Sequence, residues 1–179
     1  MNKIKRAIIM ASGLGTRLRP LTLTVPKPLL KVGGVVMIES IIDGLLANNI
    51  SEIHIVTGYL KDCFAYLPDK YPNADIDLIF NEDYQKCNNI SSLYVARNFL
   101  DETMIIDGDQ IIRNQQVLTP FLNVQGITAF ILRKVRMNGF NKRKTEKSFR
   151  AVEMAVNADF SFMAFQDGQN VILFNSDKI

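Results

Sequence analysis

Residues 11–28 read ASGLGTRLRPLTLTVPKP, a glycine-rich cationic stretch that directly follows a short apolar run. Gly13 and Gly15 carry no Cβ, so the main-chain N–H groups around them can approach a phosphate closely. Thr16 adds a hydroxyl donor, and Arg17 and Arg19 add forked guanidinium donors suited to phosphate oxygens. Lys27 stands between Pro26 and Pro28, whose rings stiffen its backbone. An ammonium held in this way can meet the negative charge that develops on phosphorus during transfer. The chemistry indicated is that of a nucleoside triphosphate. A glycine turn followed by exposed basic residues has the same composition without any ligand, so the spacing alone leaves both readings open. It is neither a dinucleotide fingerprint, since a third glycine is missing, nor a P-loop, since no Gly-Lys-Ser/Thr follows.

A second chemically suggestive group is MIIDGDQII, which sets Asp107 and Asp109 at the end of an apolar run. Carboxylates two apart share a face on a strand and diverge in a turn. Mg²⁺ is commonly held by one or two carboxylates together with phosphate oxygens. Asp-Gly-Asp is also good turn chemistry with no metal at all.

The elements that must position these groups follow from the hydrophobic pattern. Ile4 to Met10 has the composition of a buried strand. Ser12 to Arg19 reads as a loop. Val36 to Leu46 spaces its apolar residues at three and four and predicts an amphipathic helix. Further strands are expected over Glu52–Tyr59, Asp75–Asn81, within ETMIIDGDQII and within GITAFILRK. Leu60–Leu67 predicts a short helix closed by Pro68, and SSLYVARNFL predicts a helix with a serine cap. Strands alternating with helices indicate βαβ units and a mainly parallel sheet covered on both faces, an α/β fold of Rossmann-like type. Ligands of such sheets sit at the carboxyl ends of the strands, where the glycine loop and Asp-Gly-Asp both fall. The lone His54, within an alternating strand, reads as structural, as do Cys63 and Cys87.

MASGLGTRLRPLT followed by PKPLLKV resembles the signature of the nucleoside-triphosphate transferases that make sugar nucleotides. Their usual form is an apolar strand, Ala-Ala-Gly-x-Gly-Thr-Arg-Leu-x-Pro-Leu-Thr, and then Pro-Lys; Ser12 stands here where the second alanine is common. The resemblance implies the sugar-nucleotide transferase variant of the fold. It implies that Ala11, Ser12, Gly13, Gly15, Thr16 and Arg17 line the triphosphate, and that Lys27 and Arg17 act in transfer. It also implies a magnesium carboxylate, with Asp109 the first choice and Asp107 the second.

The intervening segment FNEDYQKCNNISSLYVARN resembles that of bacterial choline-phosphate cytidylyltransferases, where an Asn-Asn pair precedes a Ser-Leu helix. Asn81, Asn89 and Ser92 are accordingly candidates to meet a pyrimidine edge or a ribose, since amides both donate and accept. Ser91 or Ser92 as a simple helix cap explains the same pattern. The expected reaction is transfer of CMP from CTP to a small phosphorylated acceptor such as phosphocholine, releasing pyrophosphate, with Mg²⁺ as cofactor. The alternatives are a sugar-1-phosphate nucleotidyltransferase or a catalytically dead nucleotide-binding remnant.

The 179 residues are enough for one domain with a core, and 47% hydrophobic and 22% charged residues are ordinary globular proportions. No apolar run of about 18 residues occurs, so no membrane span is expected. The N-terminus lacks the features of a signal peptide, and two cysteines without metal spacing fit a reducing, cytoplasmic setting. The net charge of +3 is misleading: residues 133–147 hold seven basic residues and one acid, so the remainder is net acidic and implies no nucleic-acid partner.

The resemblance is continuous from Ile4 to Ile112, weaker to Leu132, and then stops. The family continues with an acceptor-binding half, a second metal aspartate and tryptophans, whereas this chain has no Trp. Residues 1–134 are therefore expected to form the N-terminal part of a truncated nucleotidyltransferase domain, and 135–179 a divergent, out-of-frame tail. With codons chosen to suit, a one-base shift of the reading frame is consistent with this. Met137-Asn138-Gly139 then yields Asn-Glu-Trp, residues 152–155 yield Arg-Asn-Gly, and residues 165–168 yield Ser-Arg-Trp, in the order in which the family carries similar motifs. The rival expectation is a genuine short variant with a basic, solvated tail. With the acceptor half missing, turnover is expected to be low or absent.

Overall fold

The computed structural model describes residues 4–86 and 89–122, together with strand segments at 128–130, 152–153, 155–156, 162–167 and 170–175. Its centre is a parallel sheet. Strand β1 (Arg6–Ala11) pairs with β4 (Glu52–Thr57) on one side and β6 (Thr103–Asp107) on the other. Strand β5 (Asp75–Phe80) extends the sheet beyond β4, and β7 (Thr128–Phe130) extends it beyond β6, both in parallel. The antiparallel β8 (Val152–Glu153) completes the order β5-β4-β1-β6-β7-β8. Segments β9 (Ala155–Val156), β10 (Phe162–Asp167) and β11 (Asn170–Asn175) pair antiparallel with one another.

The central strands β1 and β6 are near-continuous apolar runs because both faces are covered there. On one face Ala7, Ile9, Ile53 and Ile55 pack against helix α1 (Met37–Ala47), whose Ile38, Ile41, Ile42 and Leu45 form a fully buried stripe. Each such side chain contributes about 1.5–3 kcal/mol relative to exposure. Leu118, in the 3₁₀ segment at Gln115–Phe121, and Leu122, just beyond it, close the same core. On the other face Ile8, Val56 and Ile105 meet Leu93, Ala96 and Leu100, from and just beyond helix α3 (Asn89–Val95). The expected α/β fold with helices on both faces is therefore present.

Three local expectations differ from the structure. Pro68 does not close a helix. It sits in the first turn of α2 (Leu67–Lys70), where its missing N–H costs nothing, and a 3₁₀ turn at Lys61–Phe64 precedes it. Ser91 and Ser92 do not cap α3, because the helix starts two residues earlier, at Asn89. The hairpin of β2 (Lys31–Val32) and β3 (Val35–Val36) was not expected; Gly33 and Gly34, both at positive φ, make its two-residue turn. His54 is structural as expected: it is buried between Glu52 and Asp77, at 3.2 and 3.4 Å, and stacks on Phe99. Cys87 and the basic segment 133–147 lie outside the described residues.

Candidate active site

Because β1 and β6 are neighbours and parallel, the segments that follow them emerge side by side. The chain leaves β1 at Ala11 and enters the glycine loop. Gly15 takes a left-handed φ of +62°, and a Cβ there would stand 3.0 Å from Thr22 Cγ2 and 3.3 Å from Lys27 Cβ. Thr22, fully buried, donates its hydroxyl to Gly15 O at 2.9 Å, and Leu18 N donates to the same oxygen. The loop is thus folded back onto the Pro26-Lys27-Pro28 segment. Lys27 opens a one-turn 3₁₀ helix at Lys27–Leu29, in which Leu30 N donates to Lys27 O at 3.1 Å.

The turn after β6 is held against the end of β1. Gly108 N donates to Met10 O at 2.8 Å, and a Cβ on Gly108 would lie only 2.9 Å from that oxygen. Only glycine allows this approach, and it puts Asp107 and Asp109 beside the loop. Lys27 Nζ and Asp109 Oδ2 form a direct ion pair.

These elements enclose a cleft of about 860 Å³ at the carboxyl ends of the strands. One wall is Ala11, Ser12, Gly13, Gly15, Thr16 and Arg17; the other includes Lys27, Asp107, Asp109 and Gln110. Every residue that the resemblance places at the triphosphate, and both candidate metal carboxylates, therefore face one space, whereas Arg19, also offered as a phosphate donor, is not in the lining. Among the described residues no three His, Cys, Asp or Glu side chains converge as a self-sufficient metal site. A pair of acidic oxygen donors at the edge of an anion cleft matches Mg²⁺, which takes its other ligands from phosphate and water.

Asn81 and Ser92, expected to meet the pyrimidine, are not in the cleft lining. They are 1% and 2% exposed and hydrogen-bonded to each other, Asn81 Nδ2 donating to Ser92 Oγ at 3.2 Å. Asn89 opens α3, but its side chain lies outside the described residues. Two contributors were not singled out in the sequence. Thr22 lies inside the Pro-Leu-Thr signature without a role attached to it. Gln110, 7% exposed beside Asp109, carries an amide oxygen with no hydrogen-bond partner among the described residues.

The fold and cleft define an α/β domain of Rossmann-like type with a glycine-rich loop and an acidic turn on neighbouring strands. The nucleotidyl transferase family model matches residues 6–138, and the chain belongs to that family. It is 45% identical over 116 residues to a 2-aminoethylphosphonate cytidylyltransferase of Lancefieldella rimae, covering 64% of this chain and 46% of that one. It is 44% identical over 104 residues to a choline-phosphate cytidylyltransferase of Streptococcus pneumoniae, covering 58% and 44%. Among solved structures, a CTP:phosphocholine cytidylyltransferase from Streptococcus pneumoniae superposes with a TM-score of 0.58 at 43% identity, covering 62% of this chain and 47% of that one. The chain thus spans about half the length of the curated relatives it matches. Among the described residues no helix is long and apolar enough to cross a membrane.

Proposed function

We propose that the chain is a cytidylyltransferase domain that binds CTP in the 860 Å³ cleft. It would serve transfer of CMP to a small phosphorylated acceptor, phosphocholine being the first choice. The observation that carries this reading is the convergence of the glycine loop, Lys27 and Asp109 on one cleft. In the reaction an acceptor phosphate oxygen attacks the α-phosphorus of CTP. The new P–O bond forms as the bond to the bridging α–β oxygen breaks, and that electron pair leaves with pyrophosphate. No covalent enzyme intermediate is needed, so the contribution of the protein is positioning and charge neutralisation.

Each residue has a definite task in this reading. Main-chain N–H groups around Gly13 and Gly15 hold the β- and γ-phosphates, with Thr16 and Arg17 as further donors. Lys27 balances charge building on the α-phosphoryl oxygens. Asp109, with Asp107, would hold Mg²⁺, which supplies further neutralisation of the triphosphate. The resemblance implies an acceptor-binding half beyond the matched residues, so low turnover is the expectation for the chain alone.

Calorimetric titration with CTP, UTP and dTTP in the presence of Mg²⁺ tests the base. Pyrophosphate release with phosphocholine, 2-aminoethylphosphonate or a sugar 1-phosphate tests the acceptor. Preference for CTP without release in any arm would mark a nucleotide-binding remnant. Absence of magnesium-dependent binding of any pyrimidine triphosphate by the folded chain would overturn the reading.

A further inference from the structure

Behind the glycine loop runs a chain of three buried polar side chains drawn from three separate segments. Asn81 follows β5, Ser92 lies in α3, and Ser12 follows β1. Asn81 Nδ2 donates to Ser91 Oγ at 3.0 Å and to Ser92 Oγ at 3.2 Å, while Asn81 Oδ1 accepts from Asp83 N at 3.1 Å. Ser92 Oγ and Ser12 Oγ are 2.7 Å apart across 80 residues of sequence. Ser12 is the only one of the three that lines the cleft. Its main chain is fixed as well: Ser12 O accepts from Tyr59 N at 3.1 Å, and a Cβ on Gly58 would be 2.7 Å from that oxygen.

The amide nitrogen fixes a direction. It only donates, so Ser92 Oγ receives a hydrogen from Asn81 and keeps its own to give. We propose that Ser92 gives that hydrogen to Ser12 Oγ, so that the Ser12 hydroxyl is turned into the cleft as a donor to a phosphate oxygen of the bound triphosphate. Ser12 then joins the binding surface, and Asn81 and Ser92 are positioning residues that act through it. Successive bonds in such a chain polarise one another, which favours one consistent order of donors. An alanine, common at this place in the resembled signature, would have no hydroxyl to orient. The inference rests on the proposed triphosphate site.

The test is calorimetric titration of the chain with CTP and with inorganic tripolyphosphate, each with Mg²⁺, in wild type, Ser12→Ala, Ser92→Ala and the double variant. One hydrogen bond to a charged phosphate oxygen corresponds to a loss of about tenfold or more in affinity. Either single substitution is expected to weaken both ligands by that factor. The double variant should bind no more weakly than either single, because Ser92 acts only through Ser12. Unchanged affinity in Ser12→Ala, or losses that multiply in the double variant, would overturn the proposal. If wild type binds neither ligand, the triphosphate reading fails and the donor role of Ser12 fails with it. The positioning role is then decided without ligand by hydrogen exchange of residues 12–17. Faster exchange there in Ser92→Ala, with the central strands unchanged, supports it, and equal exchange rejects it.

Discussion

Lys27 and Asp109, 82 residues apart, form an ion pair across the candidate cleft, at the meeting of the segments that follow β1 and β6. Both side chains are more than a third exposed, so the pair contributes little to folding stability. In the proposed function its significance is electrostatic: the ammonium and the carboxylate would neutralise each other until a triphosphate and its cation took them as separate partners. Asp109→Asn removes this mutual neutralisation. In EDTA it should leave CTP binding unchanged or strengthen it, because Lys27 is released to the phosphates. With Mg²⁺ the stimulation of binding seen in wild type should largely disappear, a loss of about tenfold or more for a charge-assisted interaction. Calorimetry with and without the cation checks both halves. Equal magnesium stimulation in the variant would remove Asp109 from the cation site.

Gly58 supports the loop from outside the cleft. A Cβ at this position would come within 2.6 Å of Tyr84 Cβ and 2.7 Å of Ser12 O. Neither atom is the end of a flexible side chain, so Gly58→Ala must displace backbone. The expected cost is about 1–3 kcal/mol of stability, accompanied by weaker CTP binding because Ser12 itself is shifted. Chemical denaturation and titration measure the two effects. Gly13→Ala, with nothing within 4 Å of the added methyl, should fold like wild type and change nucleotide affinity alone.

Glu39 carries the pH dependence that the structure makes most explicit. Burial works to raise its pKa, but hydrogen bonds from Lys70 at 2.7 Å and Tyr66 at 2.8 Å outweigh that and hold it below the ordinary carboxylate value of 4.5. A depressed folded pKa gives stability that is present above the unfolded value and is lost as pH falls through the folded one. Tyr66 is raised, first by burial and then by its bond to Glu39, so its contribution is present below pH 10 and fades as pH rises beyond it. Glu39→Gln should cost about 1 kcal/mol near neutrality, Lys70 being half exposed. It should also flatten the decline below about pH 4.5, and denaturation curves from pH 3 to pH 7 would show it.

The parts of this molecule that were legible in the sequence are those coded by contiguous residues. Ile8–Met10 and Ile53–Val56 announce buried strands, and the stripe from Met37 to Leu45 announces α1. The glycine loop and Lys27 lie within one short segment, and the paired aspartates within another. What joins them was not legible. The Lys27–Asp109 pair depends on β6 lying beside β1 rather than beside β5, which is a property of sheet order and not of either segment. The same holds for Asn81 and Ser92. Their residue types fit a pyrimidine edge equally well, and only the packing of α3 against β1 and β4 turns them inward. The Val32–Val35 hairpin carried a readable Gly-Gly signal but strands too short to register as a pattern.

The boundary between residues 134 and 135 leads to the last prediction. The family match ends at residue 138, and codons can be chosen for residues 136–168 that, read one base along, give three family-like motifs in order with a single offset. Loss of one register requires those codons, whereas a native tail places no such demand on the coding DNA. The proposal is therefore that a one-base change near codon 135 separates this chain from a full-length transferase. Sequencing the coding DNA decides the first step: a single insertion or deletion should restore Asn-Glu-Trp and Ser-Arg-Trp together. If no one-base change restores both, the tail is native. Expression of the restored chain decides the second step. It should release pyrophosphate from CTP with the correct acceptor, while the present chain binds CTP with similar affinity and turns over slowly or not at all. Equal turnover by the two chains would show that the present 179 residues already contain everything the reaction needs.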